Sequence, residues 1–147
     1  NPADARAHAV RGQALELLGR IPEGEAALRR AAELRADRYP LPLALTDDQW
    51  DTLLLAASSS LDRTRRDALR RVTVTFADLP TLEALRALTP PPSPLVDALL
   101  LDPDAKRPLL QLYRRNLLRG ASDLGEIESR LRDALEAEAD LLLDEEA

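Results

Sequence analysis

Small and apolar residues recur at helical spacing over residues 4–37 and predict two helices. The first stripe continues to Leu18, and Gly19 ends the helix because glycine takes the left-handed backbone conformation that other residues avoid. Pro22 suits the first turn of the second helix. Two helices of this length cannot bury their stripes alone, so the pattern predicts a hairpin that packs on another surface. The stripes contain Ala5, Ala9, Gly12 and Leu15, then Ala27, Leu28, Ala31 and Leu34.

Prolines separate this hairpin from the rest of the chain. Residues 39–46 read YPLPLALT, in which Pro40 and Pro42 break the helix and stiffen the passage. Thr46 has the position of an N-cap, acidic residues follow it, and a helix is predicted through about Leu61. The buried face of that helix would contain Trp50, Leu53, Leu54 and Ala57.

Three strands are predicted in the middle of the chain. Residues 72–76, VTVTF, alternate apolar and polar side chains and are rich in β-branched residues. Residues 89–94, TPPPSP, cannot pair inside a sheet and predict a surface loop. The second strand is predicted over 95–102, where helix stays an alternative, and the third over 108–119, ended by Gly120.

A long acidic helix is predicted at the C-terminal end. Asp123 and Glu126 have the spacing of a capping box, and one side of the following segment is apolar. These elements predict the α+β class, with a helical hairpin over 1–41 and a second domain over 42–147. In that domain a short mixed or antiparallel sheet would pack on helices. The apolar side of the last helix contains Leu124, Ile127, Leu131, Leu135 and Leu142.

The hairpin resembles a tetratricopeptide repeat. That motif places small residues where its two helices cross, a large apolar residue between them and a glycine at the turn. The matching residues are Gly12, Gly19, Gly24, Leu28 and Ala31. His8 stands where the repeat usually has an aromatic residue, and no second repeat is visible. The resemblance implies the last repeat of a longer array or a single docking hairpin, and any α-hairpin stays the alternative.

Residues 46–147 resemble the small single-domain zincin-like metallopeptidases of bacteria. The resemblance lies in the order of helix, strand, proline-rich loop, two strands and acidic helix. It is carried by VTVTFADLP, LVDALLLDP, LLQLYRRNLLR and RDALEAEADLLLDEE. It implies a substrate cleft near the third strand and a zinc-binding motif on the last helix.

The residues that zinc requires are missing from that helix. A zincin uses two histidines at i and i+4 and a Glu that deprotonates the bound water. The resemblance puts Ala137 and Leu141 at the histidine positions and Glu138 at the position of the base. Other registers put Leu135 and Ala139, or Glu136 and Asp140, there. The chain has one histidine, His8, and no cysteine, so we expect no catalytic residue, no metal and no cofactor.

Two other sites are considered. Glu136 and Asp140 lie one helical turn apart and could share Mg²⁺, Ca²⁺ or Mn²⁺, although acids at this spacing are common on solvated helices. Residues Tyr113, Arg114, Arg115 and Asn116 could bind an acidic peptide along an edge strand, which accepts a partner through backbone pairing. Alternatively, the two arginines face the acidic last helix.

Charge and composition limit the class of function. The net charge is −6, and residues 126–147 hold nine acids against two arginines. This acidity argues against nucleic-acid binding, and no apolar run is long enough for a membrane span. We predict a cytoplasmic, non-catalytic protein-interaction or scaffold module that binds a protein or peptide. The alternatives are a hydrolase with a carboxylate metal site and an acidic adapter that docks onto a basic protein.

Overall fold

The computed structural model describes residues 4–41 and 43–145 of the chain. Two compact units are distinguished, Asn1–Pro42 and Leu43–Ala147. Over the described residues the fold is mixed, with seven helices and three strands, which confirms the predicted α+β class. Pro42, predicted to stiffen the linker, lies outside the described residues, as does Glu146 of the acidic C-terminal segment.

The first unit is a hairpin of α1 (Ala5–Leu17) and α2 (Ile21–Leu34). Gly19 ends α1 as predicted, with a φ of 81°. The N–H of Arg20 donates to the carbonyl of Leu15 at 2.8 Å, and the N–H of Gly19 donates to that of Glu16 at 2.9 Å. This pair of bonds satisfies carbonyls that the helix end leaves without intrahelical donors. Pro22 lies in the first turn of α2, also as predicted.

Glycines allow α1 and α2 to approach closely. A Cβ atom built on Gly12 would lie 2.7 Å from Leu28 Cγ and 2.9 Å from the carbonyl oxygen of Gly24. A Cβ built on Gly24 would lie 2.8 Å from the carbonyl oxygen of Gly12. Neither position has room for a larger residue, because backbone atoms cannot move aside as a flexible side chain can. The small residues therefore set the spacing of the hairpin.

The second unit begins with two helices. Thr46 caps α3 (Asp47–Ser59): its hydroxyl accepts from the N–H of Gln49 at 3.2 Å, and the Gln49 side chain accepts from the N–H of Thr46. This confirms the predicted N-cap. The next helix, α4 (Arg63–Leu69), was not predicted, because its sequence RTRRDAL has too few apolar residues to form a visible stripe.

The sheet is mixed, with the strand order β1-β3-β2. Strand β1 (Thr73–Ala77) pairs in parallel with β3 (Leu109–Tyr113), and Thr73 lies opposite Leu109. Strand β2 (Ala98–Leu101) is antiparallel to β3. The three strands overlap the predicted ones, including the strand alternative for β2, and residues 89–94 form the predicted loop.

Two short helices depart from the prediction. Helix α5 (Leu82–Arg86) follows β1 and begins at Thr81, whose hydroxyl accepts from the N–H of Ala84 at 3.0 Å. Helix α6 (Arg114–Leu118) directly follows β3. The predicted strand over 108–119 is therefore wrong after Tyr113. Alternation of Leu and polar residues up to Tyr113 does not reveal where the strand turns into a helix.

Helix α7 (Leu124–Asp144) covers one side of the unit. The Asp123 carboxylate accepts from the N–H of Glu126 at 2.9 Å, and the Glu126 carboxylate accepts from the N–H of Ser122 at 2.8 Å, close to the predicted capping pair. Its apolar side packs against α3 and against one side of the sheet. None of the described helices combines the length and apolar character needed to cross a membrane. The fully buried side chains of this core include Leu110, Leu112, Leu117, Ile127, Leu131 and Leu135.

Candidate functional site

The predicted zinc positions lie on the solvent-facing side of α7. Ala137 is exposed, and Leu141 is 57% exposed. The second register, Leu135 and Ala139, lies on the opposite side, inside the core. Glu138, at the predicted position of the base, is half-buried, and this burial raises the pKa of its carboxyl group. No register of the helix presents two metal-binding side chains with nitrogen donors.

Asp140 is already paired with a cation of the protein. Its carboxylate accepts from Arg65 Nε at 2.9 Å and from Arg65 Nη2 at 3.3 Å. This is a bidentate pair, in which two parallel N–H groups of the guanidinium donate to the two oxygens of the carboxylate. Over residues 4–41 and 43–145, no group of three or more His, Cys, Asp or Glu side chains could hold a metal ion. Asp140 therefore joins α7 to α4 through Arg65, and within the described residues no third carboxylate or histidine completes a metal site with Glu136 and Asp140.

The proposed edge strand at residues 113–116 is wrong. Strand β3 is central, so both of its edges are paired within the sheet and cannot accept a peptide. Tyr113 is fully buried, and Asn116 is buried as well. The Asn116 side chain donates to the carbonyl oxygens of Pro94 at 2.9 Å and Val96 at 2.7 Å. Asn116 thus fixes the segment that enters β2.

Arg114 contacts residues other than those of the last helix. Its guanidinium lies 3.6 Å from the Asp78 carboxylate and 3.8 Å from that of Asp47, and 5.6 Å from the centre of the Phe76 ring. The alternative that this arginine faces the acidic helix is therefore wrong. The N–H of Arg115 donates to the carbonyl of Asp78 at 3.1 Å and so extends the β1–β3 pairing by one step.

Strand β2 provides the edge that the sequence assigned to β3. The N–H of Tyr113 donates to the carbonyl of Asp97 at 2.9 Å, and in an antiparallel pair such bonded positions alternate. Leu99 and Leu101 therefore direct their main-chain groups toward β3, whereas Ala98 and Leu100 direct theirs outward. Among the strands of the described residues, β2 pairs only with β3, so its outer edge has no strand beside it.

A groove reaches this outer edge. It has a volume of about 750 Å³ and lies between α5 and the turn that follows β2. Its lining includes Ala84, Leu88, Leu100 and Leu101, which contribute apolar surface beside the polar groups of the same groove. Leu100 belongs to both features, since it lines the groove and directs its main-chain groups away from β3.

Three acidic residues line the groove. Glu83 lies on the α5 side, and Asp102 and Asp104 lie on the turn, with no Lys or Arg among the lining residues. Asp102 has a φ of 50°, in the left-handed region, and its carbonyl accepts from the N–H of Ala105 at 3.0 Å. The sequence offered only one sign of this site, the turn-forming run Asp102-Pro103-Asp104, because the groove joins segments distant along the chain.

Comparison with known protein families and with curated proteins finds no match to this chain. The zincin-like and repeat-like resemblances therefore stay predictions that depend on the motifs described above.

Proposed function

We propose that this chain is a non-catalytic protein-interaction module, built on a metallopeptidase-like fold without zinc ligands, that binds an extended basic peptide along β2. The observation that carries the proposal is the meeting of an unpaired strand edge with an acidic groove at Leu100. An exposed strand edge accepts a peptide by main-chain hydrogen bonding, and side-chain pockets then select the sequence. The predicted cytoplasmic location stays part of this proposal.

The charge of the groove favours a basic partner. Glu83, Asp102 and Asp104 lie beside apolar surface that Leu88 and Leu101 help to form. An extended peptide places successive side chains on opposite sides, so alternating apolar and basic residues would meet this apolar surface and the carboxylates. This partner differs from the acidic peptide expected from Arg114 and Arg115, because the edge lies on another strand.

A hydrolase with a carboxylate metal site is less well supported. Asp140 is bound by Arg65, and Glu136 alone offers too few ligands for Mg²⁺, Ca²⁺ or Mn²⁺. Glu138 lacks a metal-bound water to deprotonate, and its half-burial favours the protonated carboxyl group. An acidic adapter remains a second candidate, since it too would bind a basic partner, but through the surface of α7.

The test uses an acetylated, amidated hexapeptide of alternating valine and lysine, with a valine–glutamate peptide as its control. Binding is followed by ¹H–¹⁵N NMR and hydrogen exchange. We expect the lysine peptide to slow exchange of the Ala98 and Leu100 amides, whose N–H groups point outward. The Leu99 and Leu101 amides, which already bond to β3, should change little. The glutamate peptide should leave all four amides unchanged.

Paired variants test the charge of the groove. The double variant Asp102→Asn, Asp104→Asn should bind the lysine peptide about fivefold more weakly, because two exposed charge pairs are lost. Asparagine tolerates the left-handed conformation at position 102, so the turn should persist. The control is Asp51→Asn with Asp133→Asn, which removes two exposed carboxylates from α3 and α7. Equal weakening by both pairs would support the adapter, and binding without protection of Ala98 and Leu100 would contradict pairing along β2.

A further inference from the structure

A second cavity, separate from the groove, lies among α3, α4, β1 and α7 and has a volume of about 360 Å³. We propose that it binds a small molecule with an apolar chain and a terminal carboxylate. The volume lies within the range of small-ligand sites, which are mostly apolar and carry a few polar groups. This inference does not depend on the peptide-binding proposal.

The floor of the cavity is apolar and belongs to the core. Leu135 is 1% exposed and Leu69 is 8% exposed, while Leu54 and Val74 are partly buried around them. An apolar chain placed here would lose contact with water and gain contacts with these side chains, which favours binding. These four side chains carry no polar atom that would select a head group, so selectivity depends on the rim.

The rim carries two arginines. Arg66 lines the cavity, and no ion pair joins it to an acid of the described residues, whereas Arg70 lies 3.1 Å from the Asp67 carboxylate and stays 79% exposed on its side chain. Ser58 lines the cavity as well, but its hydroxyl already donates to the carbonyl of Leu54 at 2.7 Å. Arg66 therefore brings to the rim a guanidinium that no acid of the described residues pairs, and Ser59, which also lines the cavity, brings a hydroxyl.

A carboxylate fits this rim better than a cation or a neutral hydroxyl. A guanidinium presents parallel N–H groups that match the two oxygens of a carboxylate. Residues 62–71 hold five arginines against two aspartates, and Arg65 is paired with Asp140 of α7, so the segment keeps an excess of positive charge that would disfavour an ammonium group. A site with an apolar floor and this rim therefore selects an amphiphile by the charge of its head.

Octanoate, octylamine and octanol test the proposal because they share one chain length and differ in the head group. Each is titrated into the full chain below its aggregation concentration, with ¹H–¹⁵N NMR to locate binding and calorimetry to measure affinity. We expect octanoate to saturate shifts at Ser58, Ser59 and Val74. Octylamine and octanol should bind at least about tenfold more weakly, because they lack the charge-assisted bonds.

Variants on α4 complete the test. Replacing Arg66→Gln and Arg70→Gln should weaken octanoate binding about tenfold and leave octanol unchanged. Arg63→Gln is the control, since Arg63 lies on the same helix, is 89% exposed and does not line the cavity. Equal affinity for the three amphiphiles, full binding in the double variant, or the absence of saturable shifts at these amides would overturn the proposal. None of these outcomes depends on whether the lysine peptide binds along β2.

Discussion

The two sides of the sheet differ in how completely they are covered. On one side, Val74, Leu110 and Leu112 pack under α3 and α7 in the main core of the unit. On the other side, Leu99 and Tyr113 form a small cluster with Leu85 of the short helix α5. Stability and accessibility are therefore divided between the two sides of the sheet. The well-covered side holds the fold together, and the thinly covered side leaves room for the acidic groove.

Helix α7 repeats this division on a smaller scale. Its inner positions, such as Leu131 and Leu135, are buried, while Ala137 and Leu141 face solvent. The outward positions are those where the zincin resemblance requires histidines. Their apolar character cannot support metal binding, whereas the inner positions still serve the core. The packing of α7 therefore depends on its inner positions and not on the outward ones.

Substitutions on the well-covered side should lower the free energy of unfolding most. Leu135→Ala should lower the free energy of unfolding by about 2–5 kcal/mol, because it removes a buried side chain and leaves a cavity. Leu141→Ala on the exposed side of the same helix is the control and should change it by less than about 0.5 kcal/mol. Denaturant unfolding followed by circular dichroism measures both. Similar losses in the two variants would contradict the assignment of the buried side of α7.

A smaller loss is expected on the thinly covered side. Leu85→Ala should destabilise by about 2 kcal/mol, the lower end of the range for buried leucines, since the cluster around it is small. Hydrogen exchange should rise in α5 and spare α7, because α5 would separate from the sheet without loss of the main core. Uniformly faster exchange throughout the unit would show that the two sides are not energetically distinct.

Alkaline pH tests the same cluster without changing its packing. Burial raises the pKa of Tyr113 to about 12, so the folded state holds its phenolic proton over a range in which the unfolded chain, with a pKa of about 10, releases it. The contribution of Tyr113 to stability should therefore be constant below about pH 10 and fall as the pH approaches 12. Tyr113→Phe should flatten this part of the profile, whereas Tyr39→Phe should keep it. Parallel profiles for wild type and Tyr113→Phe would contradict the burial of this phenol.

Local signals in the sequence predicted much of the fold. Gly19, Thr46 and Asp123 act within a few residues of their own positions, so their roles as a helix end and two caps could be predicted. The short helix at Arg114–Leu118 could not, because the alternation in β3 continues to its last residue and nothing in the next residues marks a break. The arginine-rich α4 was missed because its helix depends on packing against α7 more than on its own apolar pattern.

The candidate site was less accessible to prediction. Strand order depends on the pairing of β1 with β3, two strands separated by α5, the proline-rich loop and β2. Placing the edge on β3 in place of β2 moved the predicted peptide site to Tyr113, which is buried. Glu83 and Asp104 line the same groove because folding places α5 beside the turn after β2. The lack of zinc-binding histidines on the last helix could be established from the residue content of the sequence alone.

Metal content tests the non-catalytic assignment most directly. The purified chain is incubated with Zn²⁺, Mn²⁺ or Mg²⁺, dialysed, and analysed by elemental mass spectrometry alongside a peptide-cleavage assay, with melting temperatures taken with and without EDTA. We expect well under one metal ion per chain, no cleavage of the valine–lysine peptide, and no shift in melting temperature on chelation. One tightly held ion per molecule, with cleavage that rises and falls with its occupancy, would contradict it.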